Sequence, residues 1–114
     1  MEAAPITHDK DLFQSLFTEA RRIGPTVRMG SMFGCPAVYQ GRKLAACVYG
    51  SSVGLKVPAE IASGSLRAGR AAAFRPYGKP AMREWIQIDG GAGAIASSLD
   101  LLAAAIDFAE ANNG

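Results

Sequence analysis

Histidine and cysteine are nearly missing from this 114-residue chain: His8 stands alone, and Cys35 and Cys47 are the two thiols. A closed zinc site needs four such ligands, so no metal is expected. No C-x-x-C occurs, and a disulfide framework in a small secreted domain would need more cysteines. Long apolar runs are missing too. Leu101 to Ile106 spans six residues, against about 18 for a membrane crossing. The first eleven residues mix acids, a proline and scattered apolar groups, which is not a secretory leader. These absences point to a cytoplasmic protein with reduced thiols. One domain over 1–114 is expected, with 1–8 as a loose tail.

Charge of one sign is scarce in each part of the chain. Residues 1–19 carry net −3, residues 20–83 carry net +10 with Glu60 as their one acid, and residues 84–114 carry net −5 with no base. A basic middle between acidic ends makes either a positive face or a middle neutralised by terminal helices folding back over it.

Hydrophobic spacing gives the element order. Leu12, Phe13, Leu16, Phe17, Ala20 and Ile23 form a helical stripe over Asp9–Arg22, capped by Thr7 or Asp9 and ended by Gly24-Pro25. Val27–Met29 is a short strand or a lead-in. Phe33–Tyr39 reads as a strand broken by Gly34 and Pro36, at a bulge or an edge. Gln40-Gly41-Arg42 is a hairpin turn. Lys43–Tyr49 is apolar on both faces, with Leu44, Ala46 and Val48 alternating against Ala45, Cys47 and Tyr49. Val53, Leu55 and Val57 mark a half-buried strand. Pro58–Arg67 is a short helix weakened by Ser63, Gly64 and Ser65. Ala71–Phe74 and Arg83–Ile88 are strands around a turn-rich loop. Gly90–Gly93 is a linker. The last helix starts near Ser97, where Ser97 and Asp100 have capping-box spacing. It buries Leu99, Leu102, Ala103, Ile106 and Ala109. The fold class is a two-layer α+β domain: helix, three strands, helix, two strands, helix.

Chemistry-bearing motifs are few. Gly91-Ala92-Gly93-Ala94-Ile95-Ala96 matches G-x-G-x-x-A, but the remaining chain reads as one helix, with no second strand for a dinucleotide unit. No G-x-S-x-G elbow occurs. No catalytic residue and no cofactor are assigned, and a non-enzyme is expected. Cys35, between Gly34 and Pro36, is a candidate reactive thiol if it lies in an exposed bulge near cations. Cys47 is core. Trp85 is either a stacking platform beside Arg83 and Tyr77 or a core cover. Arg67, Arg70, Arg75, Lys79 and Arg83 place five cations in 17 residues. They are the candidate contacts for a protein partner or for nucleic acid.

One ordered set of landmarks remains: Met32-Phe33-Gly34-Cys35-Pro36, Gly41-Arg42-Lys43, Leu55-Lys56-Val57, and Gly78-Lys79-Pro80-Ala81-Met82-Arg83-Glu84-Trp85. Together they resemble the TfoX/Sxy N-terminal-domain family. Ala81 adds one residue between Pro80 and Met82 to that family's usual pattern. The resemblance implies an α+β domain similar in outline to type III secretion chaperones. It also implies a role in transcriptional regulation through protein partners, since the namesakes regulate competence genes beside a cyclic-AMP-dependent activator. It supplies no catalytic residues. No counterpart of the namesakes' second domain is expected within residues 1–114, so a competence role itself is not carried over. Three functions follow as expectations: a binding module for a protein partner, with a homodimer through a strand edge or the Trp85 face as one form; weak, sequence-tolerant nucleic-acid binding through the basic cluster; and a thiol-dependent enzyme or redox sensor at Cys35.

Overall fold

Asp9 opens the first helix by accepting a hydrogen bond from Leu12 N–H at 3.0 Å. The computed structural model describes residues 6–113. Helix α1 (Lys10–Ile23) buries Leu12, Phe13, Leu16 and Ala20. Each of its large apolar side chains stabilises the fold by about 2 kcal/mol. Arg21 and Arg22 lie in its last turn, where the helix dipole favours cations. Of the expected tail, residues 1–5 lie outside the described residues. His8 is held in place: its Nδ1 accepts Gly50 N–H at 2.9 Å, while Asp9 N–H donates to Gly50 O at 2.8 Å.

Four strands follow where three were expected: β1 (Arg28–Met32), β2 (Cys35–Gln40), β3 (Lys43–Tyr49) and β4 (Ser52–Lys56). Then come α2 (Ala59–Arg67), β5 (Ala72–Ala73), a single 3₁₀ turn at Pro76–Gly78, β6 (Trp85–Ile88), α3 (Gly91–Ala96) and α4 (Leu99–Ala111). All strand pairs are antiparallel, in one sheet of order β1-β2-β3-β4-β6-β5. The architecture is α+β, with a six-stranded antiparallel sheet and four helices.

The first of the four is the segment read at Val27–Met29 as a short strand or a lead-in; it runs on to Met32 because Phe33-Gly34 is a hairpin turn and not part of the next strand. Met32 pairs with Cys35 across it. Pro36 is tolerated in an internal strand because the β2–β3 pairing begins one residue later, at Ala37. The bulge lies further on. Val38 pairs with Ala46 but Tyr39 pairs with Leu44, so Ala45 is the extra residue. That single insertion shifts the side-chain alternation. Leu44 therefore joins Cys47 and Tyr49 on one face, while Ala45, Ala46 and Val48 face the helices.

The helix-side core joins α1, α4 and the inner sheet face through Leu16, Val38, Val48, Leu55, Ile86, Leu102 and Ile106. A second, smaller core sits on the other face: Cys35, Ala37, Cys47, Phe74 and Trp85. No helix covers it. Instead the chain after β5 folds across, bringing Phe74 against Trp85 with ring centroids 5.3 Å apart.

The C-terminal region departs from expectation in three ways. Gly91–Ala96 forms a short helix and is not a linker. The Ser97–Asp100 capping box does not form: Ser97 Oγ bonds Gly93 O, and Ser98 occupies the N-cap without a side-chain bond. The buried stripe of α4 is Leu101, Leu102, Ala105, Ile106 and Ala109, leaving Leu99 37% exposed. With so many apolar residues on every side of α4, packing against β3, β4 and α1 decides the face, and spacing alone does not.

Candidate functional site

The turn between β1 and β2 is a two-residue hairpin connection with φ +50° at Phe33 and +82° at Gly34. Such primed turns favour Asn, Asp or Gly at the first position. A phenylalanine there costs about 1–2 kcal/mol of backbone strain. Core packing does not repay it, because Phe33 is 73% exposed. The Lys79 ammonium lies 4.8 Å from the centre of its ring.

A second bulky residue with left-handed backbone meets the first. Tyr77 has φ +57°. Its hydroxyl donates to Phe33 O at 2.8 Å, and its N–H donates to Tyr49 Oη at 2.9 Å. The same hydroxyl lies 3.7 Å from Cys35 Sγ. The Met32–Pro36 landmark thus meets Tyr77, the residue just before the Gly78–Trp85 landmark, in one clasp. Tyr49 packs edge-on against Tyr77 at 5.0 Å and against Phe74 at 6.2 Å, with His8 at 5.7 Å on its other side.

Beneath the clasp lie both thiols, each fully buried and free. The expected exposed bulge at Cys35 is absent, because the turn ends at Gly34 and Cys35 begins a paired strand. Burial is the main cause that pushes Cys47 up to about 12, with Cys35 adding to it and the Gly54 backbone bond opposing. The Tyr77 phenol is also raised, first by its hydrogen bond to Cys35 and then by burial. It stays protonated as the donor to Phe33 O. Trp85 is 7% exposed and is no stacking platform. Phe74 and Cys47 crowd this surface so closely that a Cβ on Gly54 would stand 2.9 Å from Phe74 Cζ.

The five cations do not form one patch. Arg70 donates both terminal nitrogens to the two Asp100 oxygens at 2.8 Å each. Its hydrogen bonds hold the Asp100 carboxyl below the ordinary carboxylate range. Here the acidic C-terminal part does fold back onto the basic middle. Arg67 and Arg83 share a groove on one side of α2, whereas Arg70 lies on the other side with Ile61 and Leu101. Lys79 belongs to the Phe33 clasp. Arg75 is exposed at the start of the 3₁₀ turn. Among the described residues no group of three His, Cys, Asp or Glu side chains converges to hold a metal. No helix there is long and apolar enough to cross a membrane.

The clasp residues Phe33, Tyr49 and Tyr77 were not assigned a site role from the sequence. The available signal was the pair of dipeptides Phe33-Gly34 and Tyr77-Gly78, each a bulky ring before a turn glycine. Comparison with protein-family models, with curated proteins and with solved structures gives no match to this chain.

Proposed function

We propose that this chain is a small non-enzymatic module that binds a protein partner, in transcriptional regulation as in the TfoX N-terminal domain its landmarks resemble. The observation that supports this reading is the Phe33 turn. A strained backbone holds a large apolar ring in solvent beside a cation, and a second strained residue braces it. Strain kept at an exposed position marks a surface under functional constraint. Aromatic side chains and nearby cations are the anchors that dominate protein interfaces.

The homodimer form has weaker support. Trp85 is covered, and at β1, one of the two edge strands, Tyr39 Oη donates to Ser31 O at 2.9 Å. A second reading is weak nucleic-acid binding, favoured by the pairing of Lys79 with an exposed ring, which single-strand binders use. Titration of the protein with fluorescent duplex and single-stranded oligonucleotides at low and physiological salt separates the two, with mass followed by light scattering. The protein-binding reading expects no complex at physiological salt. A complex that persists there and is lost on replacing Arg75 and Lys79 would reject it.

A further inference from the structure

Helix α2 buries Ala62 and Ser65 and turns a different side to solvent. Ala59, Ser63, Leu66 and Arg67 recur at helical spacing on that side. They face Met82 and Arg83, in the segment leading into β6, across an open groove of about 570 Å³. A second depression continues past Met82 and Arg83 to Lys56 and the rim of Trp85. The floor is aliphatic and unusually bare: Leu66 and Met82 are each 42% exposed. The rim is basic. Lys56, Arg67 and Arg83 make no ion pair among the described residues. Arg67 donates one bond to Ser63 Oγ and keeps its other donors. Glu84 lines the second depression, and Glu60 lies on the exposed part of the same helix.

We propose that this groove docks a short acidic, amphipathic segment of a protein partner. Its apolar side chains seat on Leu66 and Met82, and its carboxylates meet Lys56, Arg67 and Arg83. The proposal goes beyond the Phe33 turn to a second contact surface, and it rests on the protein-binding reading. Two observations favour a peptide over nucleic acid. The groove offers no exposed ring for base stacking. A methionine beside a leucine gives the adaptable aliphatic floor that helix-in-groove recognition uses. Unpaired cations around that floor select acidic flanks and speed encounter.

The test uses the full ¹⁵N-labelled chain and a synthetic helical peptide with leucines at i, i+4 and i+7 and glutamates on its flanks. Amide shifts are expected at Ala59, Ser63, Leu66 and Arg83. R67E combined with R83E should weaken binding at least about tenfold, and M82S should weaken it with no change of rim charge. Circular dichroism checks that each variant is folded. D107N, on the exposed side of α4 and outside the groove, should leave peptide affinity unchanged. Equal binding of a peptide with lysine for every glutamate would overturn the proposal, as would the absence of groove shifts at about 1 mM peptide. Shifts centred on Phe33 would overturn the groove but keep the protein-binding reading. Groove shifts with an oligonucleotide at physiological salt and none with the peptide would overturn both. A concentration-dependent dimer abolished by R67E and R83E would put a second copy in the groove and also overturn the proposal.

Discussion

Phe33 and Cys47 show how single residues carry opposite duties in this molecule. Phe33 spends backbone strain on an exposed ring, so relieving the strain should stabilise the fold. F33N places a residue suited to the left-handed turn before Gly34. It should raise stability by up to about 1 kcal/mol in urea unfolding, less the small loss of the Lys79–ring attraction. A loss of stability would show that the ring packs and is not displayed. Cys47 is the reverse case, a thiol kept neutral by burial. Its pKa rises from 9.0 to about 12 on folding, so the unfolded chain releases the proton first. Its contribution is complete below about pH 9 and is lost as pH rises from there toward 12. C47A should therefore flatten the fall in stability across that alkaline window, measured by denaturant unfolding at a series of pH values. An unchanged slope would assign the alkaline loss to other groups.

Elements were legible in the sequence where periodicity was strong and illegible where a turn or a bulge reset it. The stripe of α1 and its Asp9 cap follow from spacing and a side-chain acceptor. The full length of β1 does not, because Phe33 is a poor turn former and conceals a two-residue turn; spacing marked only Val27–Met29, as a short strand or a lead-in. The Ala45 bulge is equally silent, since both faces of β3 are apolar and one inserted alanine leaves no trace in the pattern. In the candidate site, the cations were readable as residues but their separation by α2 was not. The Met32–Pro36 landmark was readable, but its meeting with Tyr77 depends on the loop that folds across the outer sheet face. Glycines in two elements give a paired test of this architecture. Gly54 in β4 has no room for a Cβ between Phe74 and Cys47 Sγ. G54A should cost about 1–3 kcal/mol through overpacking. Gly64 in α2 has nothing within 4 Å. G64A should add about 0.5–1 kcal/mol through helix propensity. Thermal unfolding of both variants checks the signs, and a G54A protein as stable as the parent would mean that the second core is loosely packed.

At the scale of the whole molecule, the uneven charge layout is only partly neutralised by folding. Arg70 and Asp100 join the basic middle to the acidic C-terminal helix, but the pair is solvent-exposed. D100N should hardly move the unfolding midpoint, because exposed ion pairs contribute little. A large drop would make that pair a structural clamp between α4 and the segment after α2. Of the other four cations of the 67–83 cluster, Lys79 lies at the Phe33 clasp, Arg67 and Arg83 line the groove beside α2, and Arg75 lies at neither, so the cluster makes no continuous phosphate track. The most direct measurement is in-cell photocrosslinking with benzoylphenylalanine at position 33, with position 92 on the exposed side of α3 as the control. A protein-binding module using this turn gives a discrete, light-dependent protein adduct from position 33 that is absent from position 92 and reduced by K79E. A nuclease-sensitive adduct, or the same adducts from both positions, would contradict it.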